Sequence, residues 1–183
     1  MQDFVRFFDL NVIEETAVFT GTEIIVAGDF QEKQLSELMQ QSKDLQHNFK
    51  FCKILGKPDQ KELQRFKNKA DYIAVDGADM QLNKFACSTK GVDFLLQPFD
   101  DGKLYFDVSM ARLAAVNNVK IAFLFSGFLK ANGPRLSLML KNAATVSRLV
   151  KRARAQQVIF SGASNKWEMR SKENLNEFLN GLK

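Results

Sequence analysis

The strongest constraint on this chain is the alternation of short apolar runs with stretches of helical spacing. The runs fall at 4–13, 23–27, 49–55, 72–75, 93–96, 120–125 and 158–160. Helical patterns separate most of them. Leu35, Leu38, Met39 and Leu45 recur at helical spacing across 30–46, Leu63, Phe66 and Ala70 follow Asp59 as a capping residue, and Leu82, Phe85 and Ala86 fall within 80–90. Further helices are expected over 107–118, over 134–155 with Pro134 at the first position, and over 171–179 behind an N-cap Ser171. Glu14-Glu15-Thr16 closes the first run, 100–102 reads as a turn, and 126–133 reads as a loop. Strand–helix alternation with short connections predicts an α/β domain built on a mainly parallel sheet. Four of the runs lack clean alternation, as expected of strands covered on both faces. No GxGxxG follows the first run, which argues against a dinucleotide-binding open sheet. The expected fold is a short, irregular TIM-like (β/α) barrel of about seven strands, with residues 1–183 as a single domain.

Charge divides the chain in two. Residues 1–107 carry 13 Lys+Arg against 18 Asp+Glu, and residues 108–183 carry 13 against 3. From Val108 to Trp167 there are ten bases and no acid. Such a split points to a polyanion on one side of the molecule. The apolar run 121–125 is too short to span a bilayer, and the opening MQDFVRFFDLNV has neither a basic n-region nor a cleavage motif. With two cysteines, Cys52 and Cys87, placed inside elements, the expectation is a reduced cytoplasmic protein without signal peptide or membrane partner.

Two regions carry candidate chemistry. Along 134–155, Leu136, Met139, Leu140, Ala143, Val146, Leu149, Val150 and Ala153 form one apolar stripe, and Lys141, Arg148, Lys151 and Arg152 fall opposite it. A basic helix face suits a phosphate backbone. Near the end of the chain, Ser161, Gly162 and Ala163 follow a strand and precede a basic loop, the layout of a phosphate-binding corner. If both loops lie on one barrel rim, Lys130, Arg135, Lys166 and Arg170 converge into a clamp. Metal-dependent phosphoester hydrolysis is the alternative, with Asp9, Asp76 and Asp107 near strand ends as acids or ligands and Asp9 with Asp76 as a Mg²⁺ pair. The single histidine, His47, weighs against a transition-metal rim. A third reading is a barrel that binds a small phosphorylated ligand at 161–171.

The segments FFDLNV, PRLSLMLKNAATVSRLVKRARAQQ and VIFSGASNKWEMRSKENLNEF together resemble the protein component 3 family of archaeal-type ribonuclease P. The matching features are Asp9-Leu10-Asn11 on the first strand, Arg135 opening the basic helix, Ser161-Gly162-Ala163, and Arg170-Ser171 before the last helix. The resemblance implies a barrel related to polymerase-and-histidinol-phosphatase proteins, with Asp9-Leu10-Asn11 standing where phosphatase relatives carry a His-x-His pair. Lys172 stands where relatives often have proline. It further implies a noncatalytic subunit of an endoribonuclease that removes the 5′ leader of precursor tRNA. Catalysis would rest with the RNA and its Mg²⁺, and no cofactor would be held by this chain. Its partners would be ribonuclease P RNA, a small ferredoxin-like protein subunit and, indirectly, precursor tRNA. The expected RNA contacts are Lys130, Arg135, Arg148, Lys151, Arg152, Lys166 and Arg170, of which Arg135 and Arg170 match the family pattern.

Overall fold

Parallel strands paired in chain order form the sheet of this computed structural model, which describes residues 2–20, 23–77, 79–100 and 102–182. Among the described residues there are seven: β1 (Gln2–Val5), β2 (Glu23–Gly28), β3 (Phe49–Leu55), β4 (Tyr72–Asp76), β5 (Phe94–Leu96), β6 (Lys120–Leu124) and β7 (Gln157–Phe160). The helices between and after them are α1 (Leu10–Thr20), α2 (Glu32–Gln41), α3 (Gln60–Phe66), α4 (Met80–Ser88), α5 (Val108–Asn117), α6 (Phe125–Lys130), α7 (Gly133–Ala153) and α8 (Lys172–Gly181). The sheet curls until its ends meet. Val5 bridges Ala163 in parallel, Arg6 N donates to Ala163 O at 2.7 Å, and Gly162 N donates to Phe4 O at 2.9 Å. The result is the nearly closed TIM-like barrel that the alternation predicts.

Strand parity sorts the core into two layers. Phe4, Ile25, Ala27, Cys52, Ile54, Ala74, Phe94, Leu96, Ala122, Leu124 and Phe160 fill the barrel. Phe160 stacks on Phe4 and meets Phe94 edge-on, each with ring centroids 5.4 Å apart. Bulky rings beside alanines pack together in the narrow barrel. Ile24, Val26, Phe51, Leu55, Ile73, Val75, Leu95, Ile121, Phe123 and Ile159 point the other way and pack beneath the helices. Both cysteines are buried free thiols, and burial pushes the Cys87 thiol up to about 12.

An aspartate followed by an aromatic residue recurs at three strand starts: Asp3-Phe4, Asp71-Tyr72 and Asp93-Phe94. The aromatic ring of each joins the interior cluster. The carboxylate of each accepts a backbone N–H from a neighbouring strand or its end. Asp71 takes Phe51 N at 2.9 Å, Asp93 takes Ile73 N at 2.8 Å, and Asp3 takes Ser161 N at 2.6 Å. This small repeat was legible in the sequence, and hydrophobic periodicity alone does not reveal it.

Three expectations are corrected. The first strand ends at Val5, and residues 10–20 are helical. Asp9 starts that helix, with Val12 N donating to its side chain at 3.2 Å and Ile13 N to its carbonyl at 3.0 Å. Leu10 and Ile13, three apart, bury the same helix face. Asp9-Leu10-Asn11 is therefore a helix start and not part of a strand, and Glu14-Glu15-Thr16 lies within the helix. The expected loop 126–133 is mostly α6, which leaves β6 directly and buries Phe128. The helix expected over 30–46 is α2 followed by a 3₁₀ turn, Ser42–Asp44. In the turn at 100–102, Asp100 accepts from Gly102 N at 2.7 Å and Lys103 N at 2.5 Å, and Asp101 lies outside the described residues.

Candidate functional site

The C-terminal ends of the strands open into a cleft of about 370 Å³, lined by Arg6, Asp76, Gln97, Ser126, Lys130 and Ser164 among others. Arg6 continues the inward parity of Phe4, and its Nη2 lies 3.4 Å from Asp76 Oδ1. Gln97 holds a left-handed backbone with φ +41. Its amide oxygen accepts from Leu124 N at 3.3 Å, which ties β5 to β6 at the rim. Lys130 reaches the cleft from the end of α6, donates to Ser164 Oγ at 3.3 Å and pairs with Glu168 at 3.2 Å. Burial pushes the Glu168 carboxyl up, but the Ser164 N–H and Lys130 outweigh it and hold the group below its usual range. The three acids considered as a catalytic set do not meet. Asp76 faces Arg6, Asp9 lines a separate cleft with Asp44, and Asp107 caps α5 by accepting from Met110 N at 2.8 Å.

The Ser161-Gly162-Ala163 corner closes the barrel. Ser161 N donates to Asp3, Gly162 N to Phe4 O, and Ala163 N to Ser161 Oγ at 3.3 Å. All three residues are buried. Each N–H that would cradle an anion already has a partner within the seam.

The predicted cations separate into groups. Lys130 and Arg135 share a cleft of about 220 Å³ with Gln97, Asp100 and Gly127. Lys166 lies elsewhere, beside Glu15 and Thr16 of α1, with its ammonium 5.0 Å from the centre of the Trp167 ring. Arg170 is half-buried, and its Nη1 donates to Trp167 O and Met169 O, both at 2.8 Å. The four do not form one clamp. On α7 the apolar stripe faces inward as expected, with Met139, Ala143, Val146 and Val150 buried. Lys141, Arg148, Lys151 and Arg152 are exposed, and none of them is ion-paired among the described residues. Arg148 to Arg152 lie roughly 20–26 Å along the helix from Arg135 at 1.5 Å per residue, so the basic residues form a stripe rather than a pocket.

The sequence profile of the RNase P subunit p30 family matches residues 54–182. This chain belongs to the RNase P subunit p30 family. Among its relatives, Ribonuclease P protein component 3 of Thermococcus gammatolerans is 34% identical over 123 residues, covering 67% of this chain and 57% of the relative. The Methanococcus maripaludis protein of the same name is 31% identical over 125 residues, covering 66% and 53%. These matches span little more than half the length of the curated relatives. A chain in the cryo-EM structure of archaeal Ribonuclease P with mature tRNA has the same fold, with TM-score 0.83 at 21% identity over 100% of this chain and 82% of that one.

In this p30-family chain, charge is distributed by pairing as well as by sequence. Lys50, Lys53, Arg65 and Lys69 of the first half each meet an acid. Beyond residue 108, Lys130 pairs with Glu168, and Lys141, Arg148, Lys151 and Arg152 meet no acid among the described residues. Sequence reading missed Arg6 and Gln97 at the barrel mouth. Inward parity, two residues beyond Phe4, was the available signal for Arg6; the left-handed backbone of Gln97 before Pro98 left none. It also missed Lys53, which is fully buried beneath the helices, 2.8 Å from Glu62 and 2.9 Å from Phe30 O, and bonded to Asp29.

Proposed function

We propose that this chain is a noncatalytic protein subunit of ribonuclease P, supporting RNA-catalysed removal of the 5′ leader from precursor tRNA. The observation that carries the reading is the exposed basic face of α7, where Lys141, Arg148, Lys151 and Arg152 make no ion pair among the described residues, on a chain of this family. Cations that no protein acid neutralises are available to RNA phosphates, where they release counterions and lower repulsion between packed RNA helices. Arg148, Lys151 and Arg152 are the primary phosphate contacts, with Lys130, Arg135 and Lys166 around the rim. Arg170 acts by holding the 165–170 turn. The chain works with ribonuclease P RNA and a small ferredoxin-like protein subunit, and meets precursor tRNA only through that assembly. Mg²⁺ belongs to the RNA, this chain holds no cofactor of its own, and the assembly works in the cytoplasm. Among the described residues, no helix is long and apolar enough to cross a membrane.

The test is precursor-tRNA cleavage by ribonuclease P RNA with and without this chain and its small protein partner. Stimulation that requires the RNA and falls when Arg148, Lys151 and Arg152 are all changed to Ala supports the reading. Metal-dependent hydrolysis by the chain alone, with no stimulation of the RNA, overturns it in favour of a phosphoesterase.

A further inference from the structure

Trp167 is the only tryptophan of the chain, and it is 77% exposed. Leaving so large a ring in water forgoes the burial that usually holds it. The turn that carries it is nevertheless pinned. Asn165 Oδ1 accepts from Trp167 N at 3.0 Å, Arg170 Nη1 donates to Trp167 O, and Glu168 N donates to Asn165 O at 3.2 Å. Glu168 Oε2 accepts from Ser164 N at 2.9 Å, and Met169 anchors the turn in the core. The backbone is fixed while the ring is left out.

Charged and polar side chains flank the ring. Trp167 lines a cleft of about 300 Å³ with Lys166, Glu15 and Thr16. Lys166, Arg170 and Lys172 all lie within five residues of it in sequence. An exposed ring with a cation beside it and a carboxylate across the cleft suits the stacked base of an unpaired nucleotide. The parts are complementary to one. The indole offers a stacking face, Lys166 a cation for the phosphate, and Glu15 an acceptor-only carboxylate. Guanine presents two adjacent donors, N1–H and the N2 amino group, to such a carboxylate, and uracil presents one N–H between two carbonyls.

Resting on the ribonuclease P reading, we infer that Trp167 stacks on one unpaired base of the RNA, a guanine, whose Watson–Crick edge is read by Glu15. Because the pinned turn presents the ring in advance, binding orders little that is not already ordered.

Fluorescence of the single tryptophan tests this directly. The full chain is titrated with ribonuclease P RNA and with the oligoribonucleotides UUGUU and UUUUU. Quenching by the RNA, with UUGUU binding more tightly than UUUUU and Glu15→Gln removing the difference, is the expected result. Trp167→Ala should weaken RNA binding roughly tenfold, and Trp167→Phe should recover part of the loss, with the melting temperature of both variants unchanged. RNA that binds through the α7 cations while tryptophan fluorescence stays constant overturns the stacking site and leaves the subunit reading standing. Equal quenching by the two oligomers overturns the guanine assignment. Quenching by the small protein partner alone assigns the ring to a protein contact, and failure of the RNA to bind at all removes both readings.

Discussion

Asp3 and Ser161 are 158 residues apart in sequence, yet the Asp3 carboxylate accepts the Ser161 N–H at 2.6 Å. The same oxygen accepts Phe4 N at 2.8 Å, and the residue is 1% exposed. This bond fastens the first strand to the end of the last. Asp3→Ala strands two buried N–H groups, each at a cost of roughly 1–3 kcal/mol. Asp3→Asn keeps the accepting oxygen and should cost less. Urea melts of the two variants check the order.

The same residue gives the fold a pH dependence. Burial raises the Asp3 carboxyl above its usual value, outweighing the bonds from Ser161 and Phe4, and burial also raises Asp93. A raised pKa means that the folded state holds the proton more tightly than the unfolded chain. The stabilisation from these two groups is therefore full below the ordinary carboxylate pKa and is lost as pH rises through their folded pKa values. Melting temperature measured against pH should show Asp3→Asn losing part of that decline relative to wild type. Parallel curves would contradict it.

Gly162 sits at the seam with φ +62, and a Cβ there would lie 3.0 Å from both Leu124 Cβ and Ser126 Oγ. Gly162→Ala should cost about 1–2 kcal/mol from the left-handed backbone alone, with crowding added. Because the change sits where the barrel closes, amide exchange in β1 and β7 should accelerate more than in β3.

Lys53 is buried, whereas its partner Asp29 is mostly exposed and Glu62 is 30% exposed. Removing both acids with Asp29→Asn and Glu62→Gln strands a buried ammonium and should destabilise by about 3–5 kcal/mol. Lys53→Met removes the buried charge and should cost less. Denaturant unfolding of the two variants decides the order, and the reverse order would show that Phe30 O and the Phe66 ring, whose centre is 4.7 Å from the ammonium, stabilise it without the acids.

The α7 cations and Arg170 should behave differently. Arg148→Ala, Lys151→Ala and Arg152→Ala each remove an exposed charge. Each should lower the salt slope of RNA binding by about one, with stability changed by less than about 0.5 kcal/mol. Arg170→Ala removes two bonds to backbone carbonyls. It should loosen the 165–170 turn, seen as faster amide exchange and lower tryptophan anisotropy, with little change in salt slope.

Local sequence was enough for the succession of strands and helices, most helix bounds, the inward stripe of α7 and the charge imbalance. Each follows from periodicity, capping residues or composition, which act over a few residues. Asp59 and Ser171 cap their helices as read, Asp107 caps α5 where an acid or ligand was considered, and Pro134 lies in the first turn of α7. The period of the first run was misread because the β-forming residues of 4–13 hide a helix that starts at Asp9. What tertiary structure alone decided is which charges meet. Glu168 neutralises Lys130, Arg170 turns back onto its own loop, and the Ser161–Ala163 corner gives its N–H groups to β1 and to its own hydroxyl. Pairing and burial depend on barrel closure between segments more than 150 residues apart, and no local pattern encodes the distance between them. The chain itself determines how many cations it carries; folding determines which of them remain available to a partner.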